Sequence, residues 1–536
     1  MPTFTPSDPK VEKELDGVRL EQDVSTAEWE TDQFSLANDP SIIRKSGRVP
    51  FPAWFIIATE LCERFAFYGA SLLFQQYMLQ HLGLPKNTST AINRCFTFFA
   101  YLTSMIGAFI ADTYWGKYRT IVIFAIVYML GLILLAASAS TASVAAGFGL
   151  AGFCLALFLF IAPGTGGIKS NVSAFAAEQV EPGIKPTKVV GVYTDSRMTV
   201  ESVFRYFYWA INVGSFVGQL VCPIVAKTNY AYAFMIPAIV FFFGIVAIIL
   251  GRKKYVTKNP NGTVLRKVIR CIRYARKNKS KLAPGAYWLD AAKGQGPDGE
   301  WDDLFVDGLG RSIQACKVFL FYPFYWALYG NMQDNFINQG VNLKRPSWLG
   351  PEQLNLVNSI VLIICIPLFD RFFFPVMRRF GFKLGPIVRI TIGFTICTLG
   401  FVYVTVLQNA LYNTGPYYNF QDLTGLPKGE DPVNDISVWL QVPPYIFIAI
   451  SEIFASATGL EYAFKQAPSE MKSLVLALFL FTNCGGSLIG LILSIWSKDP
   501  NFVYVFGIQT GILGVMTIIF YFVFRKFDNQ TESVVQ

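Results

Sequence analysis

Apolar runs of about twenty residues recur along the whole chain, and they limit what it can fold into more than any other feature. A helix needs roughly twenty apolar residues to cross the hydrocarbon core of a bilayer. Hydrophobic residues make up 53% of the 536 residues and charged residues 15%, well below the roughly 25% of an average soluble domain. We therefore predict an all-α membrane protein with twelve transmembrane helices, at about 54–80, 94–111, 120–138, 147–170, 203–226, 231–250, 313–337, 354–374, 384–408, 439–464, 471–496 and 502–525.

Lys and Arg are distributed unequally between the two sides of this predicted membrane domain. Loops on the side of the termini carry more than twenty of them. Loops on the other side carry only Lys86, Lys227, Lys344, Arg345 and Lys428. The positive-inside rule places the side rich in Lys and Arg in the cytosol. Both termini are therefore predicted to be cytosolic, with the protein in the plasma membrane or, alternatively, in the vacuolar membrane.

A basic segment divides the chain into two similar parts. From Gly251 to Leu282 there are twelve Lys or Arg and no Asp or Glu. Such a run can bind nucleic acid, but apolar spans lie on both sides of it, which favours a cytosolic loop and no nucleic acid partner. The predicted organisation is a disordered cytosolic tail at 1–50, a six-helix bundle at 51–250, a basic linker at 251–312, a second six-helix bundle at 313–525 and a cytosolic tail at 526–536. Two six-helix halves joined by a long loop indicate the major facilitator architecture.

A polar turn between the second and third spans supports this architecture. The segment from Gly107 to Thr120 resembles the G-x-x-x-D-x-x-G-R/K pattern of the major facilitator superfamily at this position. Gly116 permits a tight turn, and Asp112 can accept hydrogen bonds from helix ends as the two halves rock. We predict a gating loop that contains Asp112, Gly116 and Lys117. The alternative is an ordinary polar turn.

Three charged residues lie inside the first span, where charge is expensive and therefore indicates function. Glu60, Glu63 and Arg64 share one helical face, and Tyr68 lies one turn further along it. Two carboxylates facing one guanidinium leave an excess negative charge in a medium of low dielectric constant. A carboxylate without a cation of its own is the kind of group that binds a proton near neutral pH. The cluster is predicted to couple protons to transport; the alternative is a static ion pair that fixes the helix.

Two further charged side chains lie in apolar surroundings. Lys169 ends a glycine-rich segment of the fourth span, Pro163 to Asn171, whose glycines are predicted to allow close helix packing. This segment is not a phosphate-binding loop, because Ile168 precedes the lysine where that motif has glycine. The alternative for Lys169 is snorkelling to the interface. Glu452 is interpreted as the only carboxylate in the core of the second half. One histidine and scattered cysteines indicate no metal site, no cofactor and no enzyme.

Five segments together resemble the fungal branch of the proton-dependent oligopeptide transporter family. They are E-x-x-E-R-F-x-(Y/F)-Y-G, the turn described above, G-T-G-G-I-K, F-Y-W-x-I-N-x-G-S and I-S-E-I-F-A-S-x-T-G-L-E-Y-A, spread over about residues 50–525. The resemblance implies a proton-coupled symporter that imports di- and tripeptides by alternating access, driven by the proton gradient and active as a monomer. It also implies proton-coupling residues and peptide-contacting residues. The former are Glu60, Glu63, Arg64 and Lys169; the latter are Tyr68, Lys169, Tyr208, Asn212, Trp326, Asn358, Glu452 and Ser456.

Two departures from that family affect the expected substrate range. Many relatives carry Arg seven residues after Arg64, where this chain has Ser71. Many also carry an acid or a Gln-type residue in the seventh span, where this chain has Gly330 and its neighbours; Asp334 is a candidate substitute. Two alternatives stay open: the same fold carrying nitrate or another small metabolite, and a nutrient sensor that no longer transports.

Overall fold

A computed structural model describes most of the chain with side chains. The described residues are 43–189, 192–258, 260, 264–282, 287–294, 300–380, 384–423, 426, 431–466 and 471–527. The predicted tails therefore lie largely outside the described residues, as does Lys428.

Six helical segments make up the first half of the molecule, and two of them end in a π-helical turn. They are α1 (Phe51–Gln76, continued by the π-helical turn Tyr77–His81), α2 (Lys86–Ile110, continued by Ala111–Trp115), α3 (Lys117–Ser138), α4 (Gly149–Leu155, the π-helical Ala156–Ile161 and Ala162–Ala177), α5 (Ser196–Ala226) and α6 (Tyr230–Leu250). A short helix, Thr141–Ala145, connects α3 and α4.

The second half is also helical but is more often interrupted. Its segments are α7 (Asp303–Phe319, Tyr322–Tyr329 and Asn335–Val341), α8 (Leu356–Leu368, the π-helical Phe369–Phe373 and Phe374–Arg379), α9 (Pro386–Tyr412), α10 (Val442–Glu452, the π-helical Ile453–Ala457 and Thr458–Gln466), α11 (Lys472–Ser494) and α12 (Phe502–Phe524). A helix between the halves, Val264–Asn278, is called the linker helix below.

Ten helices in the described part of the chain are long and apolar enough to cross a membrane. The other two predicted spans, α1 and α7, are not among these ten helices, and each has an identifiable reason. Helix α1 is long enough but carries the three charges predicted from the sequence. Helix α7 is divided into shorter pieces, with a 3₁₀ turn at Gly330–Gln333. The all-α membrane architecture is confirmed, and the count of twelve spans stays a prediction.

Each half has its own hydrophobic core. One core joins buried residues between 56 and 255, and the other joins buried residues between 268 and 524. The end of the bundle that holds Phe51 and Phe524 is called the terminal face; Lys254 Nζ lies 4.5 Å from the centre of the Phe51 ring there. The end that holds Lys86 and Asp499 is called the opposite face; Lys86 Nζ lies 2.7 Å from Asp499 Oδ2.

The segment predicted as a linker is partly ordered, and it contributes to the second core. The linker helix buries Val268, Cys271 and Ala275, which lie three or four residues apart. They join the same hydrophobic cluster as Trp301, whose indole Nε1 donates to the carbonyl oxygen of Ala292 at 3.0 Å. Helix α7 begins at Asp303, ten residues before the predicted start of its span at 313.

Two small sheets lie at the two faces. At the terminal face, β1 (Ile43–Ser46) runs parallel to β3 (Val192–Asp195), which pairs antiparallel with β2 (Ile184–Pro186). At the opposite face, β4 (Leu343–Lys344) pairs in parallel with β5 (Asn434–Ser437). The first sheet fixes the start of the described chain beside the start of α5.

Candidate functional site

The three charges of α1 form one buried cluster. Arg64 Nε lies 3.1 Å from Glu60 Oε1, and its Nη2 atom pairs with Glu63. Thr165 of α4 donates a hydrogen bond to Glu63 Oε1 at 2.8 Å. The three charged side chains are at most 3% exposed. A single guanidinium is therefore shared by two carboxylates, and the cluster carries one negative charge too many for a neutral site when all three groups are ionised.

Lys169 of α4 does not form an ion pair with this cluster. Its Nζ atom lies 3.0 Å from the hydroxyl oxygen of Tyr101 on α2 and 4.1 Å from the centre of that ring. Arg64, Glu60 and Glu63 are close enough to interact with it electrostatically. The ammonium group is therefore held by a neutral tyrosine inside the first half rather than extended to the interface, which argues against snorkelling.

The glycines around Lys169 act as the sequence predicts. A Cβ atom added to Gly164 would lie 2.5 Å from Tyr128 Cβ, and one added to Gly107 would lie 2.6 Å from the Cα atom of Gly167. Real side chains do not approach so closely. Helix α4 therefore packs with its backbone against α2 and α3, and this close packing places Thr165 and Lys169 beside the charges of α1.

Glu452 is the corresponding charge in the second half. It ends the first piece of α10, just before a π-helical turn. The carboxylate lies next to the side chains of Tyr329 and Asn358. Within the described part of the chain, its Oε2 atom and the Nδ2 atom of Asn358 are buried without a hydrogen-bond partner. Polar groups of this kind are costly to leave unsatisfied. The carboxylate oxygen is available to a hydrogen-bond donor of a ligand, and the amide nitrogen is available to an acceptor.

Tyrosines connect the two charged regions. Tyr68 of α1 is close enough to Lys169, Arg64 and Glu452 to interact electrostatically with all of them. Tyr208 of α5 interacts in the same way with Glu452 and with Tyr68. The cationic groups of the first half and the carboxylate of the second half therefore face one shared polar region, although they are far apart in the sequence.

Among the residues that the structure describes, three predicted peptide-contacting side chains form no hydrogen bond with the charged groups described above. Trp326 donates its indole N–H to Thr482 Oγ1 at 2.9 Å. The amide of Asn212 donates to the backbone oxygen of Tyr208 at 2.8 Å. Ser456 is half-buried in the π-helical turn of α10. Two of the three side chains thus already have a protein partner.

The interpretation of Glu452 as the only carboxylate in the second core is wrong. Asp334 is 1% exposed and Glu352 is 5% exposed. Asp334 is also not a substitute for a pocket residue, because it pairs with Arg94 of α2: Nε to Oδ2 is 2.5 Å and Nη2 to Oδ1 is 3.1 Å. This ion pair, called the interhalf pair below, joins α2 to α7.

Gly330 is explained by the interhalf pair. A Cβ atom at this position would lie 2.1 Å from Arg94 Nη1, so any other residue would displace the guanidinium. Arg94 also donates to the backbone oxygen of Ala327 at 3.3 Å. The sequence contained one signal for this pair, namely a charged residue at the start of the predicted span 94–111. The helix begins earlier, at Lys86, so Arg94 lies inside it.

Amide and hydroxyl side chains extend this connection towards the opposite face. Gln75 donates to Asn338 Oδ1 at 2.8 Å, and Asn93 donates to Gln75 Oε1 at 3.0 Å. Thr90 is bonded to Asn335 at 3.3 Å. The contacts of Gln75 with Asn338 and of Thr90 with Asn335 join the two halves. Near the candidate site, in contrast, Tyr208 is 45% exposed and Tyr68, Lys169 and Glu452 are partly exposed. The halves are therefore closed at the opposite face.

The predicted gating loop has a distinct geometry. Gly116 adopts φ +73°, a conformation that favours glycine. Asp112 lies in the π-helical turn Ala111–Trp115. Asp112 and Gly116 are one residue further apart than the corresponding Asp and Gly of the superfamily pattern. The π-helical turn accommodates this extra residue. Lys117 pairs with Glu178 at the end of α4, and Asp112 is exposed.

Two helical halves, closed at one face and carrying buried charges between them, define a secondary membrane transporter of the major facilitator type. Within the described ranges, no group of three or more His, Cys, Asp or Glu side chains could hold a metal ion. The sequence profile of the POT family matches residues 118–513. The chain belongs to this family of transporters, and it is not an enzyme.

Similar proteins agree with this assignment. The chain is 37% identical over 508 residues to the probable peptide transporter ptr2 of Schizosaccharomyces pombe, covering 91% of this chain and 80% of that one. It is 35% identical over 500 residues to peptide transporter PTR2 of Saccharomyces cerevisiae, covering 91% and 81%. Among solved structures, the POT family transporter PepTSo matches with a TM-score of 0.74 at 23% identity, covering 90% of this chain and 99% of that one. The last likeness concerns the fold alone.

Proposed function

We propose that this protein imports di- and tripeptides together with protons by alternating access. The observation that carries the proposal is the pair of opposite charges across the shared polar region. Lys169 and Arg64 lie in the first half, and Glu452, whose Oε2 atom has no partner among the described residues, lies in the second. A short peptide is a zwitterion, so it can place its carboxylate near the cations and its amino group on Glu452. The relatives named as peptide transporters support this substrate class, as does one related structure that contains alafosfalin.

The α1 cluster supplies a route for proton coupling. Protonation of Glu60 or Glu63 removes the excess negative charge, and one of the two ion pairs of Arg64 is then dispensable. The guanidinium can leave that carboxylate and reach the peptide carboxylate instead. Since opposite charges stabilise each other strongly in a medium of low dielectric constant, proton binding and peptide binding favour each other in this scheme.

The observed conformation corresponds to one end of the transport cycle. The halves are joined at the opposite face by the interhalf pair, and the site residues are partly exposed. We propose that the terminal face is cytosolic, as the Lys and Arg distribution predicts, so that this is the inward-open state. The same proposal includes the plasma membrane as location, a monomer as the working unit, and the predicted division of the chain at 251–312.

Uptake of a labelled dipeptide by cells that lack their own peptide carriers tests this proposal. We expect uptake that rises as the external pH falls and that stops when a protonophore collapses the gradient. Competition by unlabelled di- and tripeptides, but not by nitrate, is expected. Uptake that ignores both pH and protonophore would refute proton coupling, and a surface-expressed protein without uptake would favour the sensor alternative.

A further inference from the structure

A groove lies between the terminal-face end of α2 and the linker helix, apart from the transport site. Its volume is about 770 Å³. The lining combines aromatic and aliphatic side chains with three arginines. The residues are Phe109, Thr113, Tyr114, Leu265, Arg266, Ile269, Arg270 and Arg273.

The linker-helix wall of the groove is basic and apolar at once. Arg266, Arg270 and Arg273 lie four and three residues apart, so they share one helical face. Leu265 and Ile269 directly precede Arg266 and Arg270 in the sequence. This face differs from the buried face of the same helix, which packs into the second core. Guanidinium groups are well suited to hold phosphate oxygens by paired hydrogen bonds. One of the three arginines is already engaged, because Arg270 forms an ion pair with Glu300 at the rim of the groove.

The α2 wall of the groove supplies an exposed aromatic surface. Phe109 is 38% exposed and Tyr114 is 65% exposed, and their ring centres lie 6.0 Å apart. Both residues belong to the end of a helix that is apolar enough to cross the membrane. Tyrosine is typical of the boundary between hydrocarbon and head groups. The aromatic wall therefore lies where acyl chains end, and the arginines lie where phosphates begin.

The two walls belong to different halves of the molecule. Phe109 and Tyr114 belong to α2 of the first half, whereas the linker helix packs into the core of the second half. The segment before the linker helix is attached to the first half: Gln179 accepts from Val256 N at 2.9 Å and donates to Val256 O at 3.1 Å. An occupant of the groove would contact both halves.

We propose that this groove binds an anionic phospholipid of the cytosolic leaflet, with its phosphate on Arg266, Arg270 and Arg273 and an acyl chain along Phe109, Tyr114 and Ile269. The proposal depends on the proposed orientation, in which the terminal face meets the leaflet that carries anionic lipids. It does not depend on the identity of the transported substrate. Charge complementarity selects the lipid, because the segment from Gly251 to Leu282 carries twelve Lys or Arg and no acid.

Native mass spectrometry of the purified full-length protein, titrated with short-chain phosphatidylserine or phosphatidylcholine, tests the proposal. We expect the triple variant R266Q/R270Q/R273Q to bind phosphatidylserine roughly 25-fold more weakly, since each free arginine near an anionic surface contributes on the order of fivefold and Arg270 is shared with Glu300. Phosphatidylcholine binding should change little. The matched control R276Q/K277Q/K279Q removes the same charge from exposed positions of the linker helix and its end, and it should keep the wild-type preference.

The other wall is tested with Tyr114→Ser, against Tyr232→Ser as an exposed tyrosine of the opposite face. Only the first should weaken phosphatidylserine binding. Equal losses in both triple variants would show a diffuse charge effect and overturn the proposal. It would also be overturned if inorganic phosphate displaced the lipid fully, which would indicate a free phosphate site. Residues 10–32 of the chain carry eight Asp or Glu and three Lys or Arg, and full displacement by a peptide of this sequence would overturn the proposal as well, by indicating that segment as the occupant. This experiment measures lipid binding in the absence of transport. A failure of the lipid proposal can therefore be distinguished from a failure of the proposed transport function, which the uptake assay tests.

Discussion

Two buried arginines lie in two different charged clusters of the molecule, and they are paired in different ways. Arg64 is shared by two carboxylates of its own helix, Glu60 and Glu63. Arg94 pairs with a single carboxylate, Asp334, 240 residues away in the other half of the molecule. All of these side chains are almost completely buried.

The difference in stoichiometry separates the proposed proton site from the interhalf pair, to which we assign a mechanical role. The α1 cluster has an excess carboxylate, so neutralising one acid leaves a balanced pair. The interhalf pair has no excess, so neutralising its acid leaves a buried charge without a partner, which typically costs about 3–5 kcal/mol. The same chemical change should therefore affect transport coupling in one cluster and conformational stability in the other.

The largest effect is expected for Glu63→Gln. The amide oxygen can still accept from Arg64 and the amide NH2 group can donate to the Thr165 hydroxyl, while the proton site is lost. We predict that uphill, pH-driven accumulation of a dipeptide is abolished, whereas the amount of protein in the membrane and its thermal stability stay close to wild type. Accumulation assays and a detergent thermal-shift assay measure the two properties.

Glu352→Gln is the matched control for that variant, because Glu352 is a buried glutamate outside the α1 cluster. It should retain accumulation. A Glu63→Gln protein that still concentrates dipeptide against its gradient would show that the cluster is a static ion pair.

Asp334→Asn should give the reverse result. It strands Arg94, so we predict a loss of about 3–5 kcal/mol of stability in the closed arrangement, visible as a lower melting temperature of the purified protein. The double variant Arg94→Gln, Asp334→Asn removes both charges and should recover part of that loss. Comparison of the two single variants with the double variant gives the coupling energy; a coupling near zero would contradict the role given to the pair.

A smaller and more selective effect is expected for Glu452→Gln. Truncating one partner of a buried charge pair costs about 2–5 kcal/mol, but only for a ligand that carries the other charge. Competition assays should therefore show a large loss of affinity for dipeptides with a free amino group and a small loss for N-acetylated dipeptides. Equal losses for both would place Glu452 in the proton path or in the structural core.

The local features of this molecule could be predicted from sequence, and the interhalf contacts could not. The shared face of Glu60, Glu63 and Arg64 follows from helical spacing, and the close packing of the α4 glycines follows from their small size. The partner of Arg94 depends on how α7 packs against α2 across 240 residues, which periodicity does not report. For the same reason, the contact of Lys169 with Tyr101 was not found.

The linker and α7 show a second limit of sequence patterns. The linker helix is strongly basic, so its three buried residues did not stand out against the charges. The aromatic residues of α7 form one apolar run in sequence, although the helix is interrupted at residues 330–334. Gly330 departs from the family pattern, but its physical reason, the space needed by Arg94, depends on the tertiary structure.

The smallest expected effect concerns binding of the peptide carboxylate. It tests how far the ion pairs of Arg64 with Glu60 and Glu63 keep this guanidinium from the substrate. Ser71 lies seven residues, about two turns, after Arg64, where many relatives have a second arginine. Its Oγ atom is buried and has no hydrogen-bond partner among the described residues. Arg345 does not replace the missing guanidinium, because it pairs with Asp431 at 2.8 Å near the opposite face. Lys169, a single point charge, is therefore the cation left for the carboxylate while Arg64 is engaged.

We accordingly predict that, while Arg64 stays paired with Glu60 and Glu63, C-terminally amidated dipeptides compete with the labelled substrate only a few-fold less well than free dipeptides. The contact then lost is a single ion pair with the partly exposed Lys169, which contributes roughly 1 kcal/mol. Ser71→Arg should widen that gap in favour of the free carboxylate, because a guanidinium binds carboxylate in a bidentate manner, and Ser71→Gln is its neutral control of similar length. The wild-type competition assay decides the matter even if the arginine variant does not fold. Amides that fail to compete at all would show that another cation occupies the place of the missing arginine.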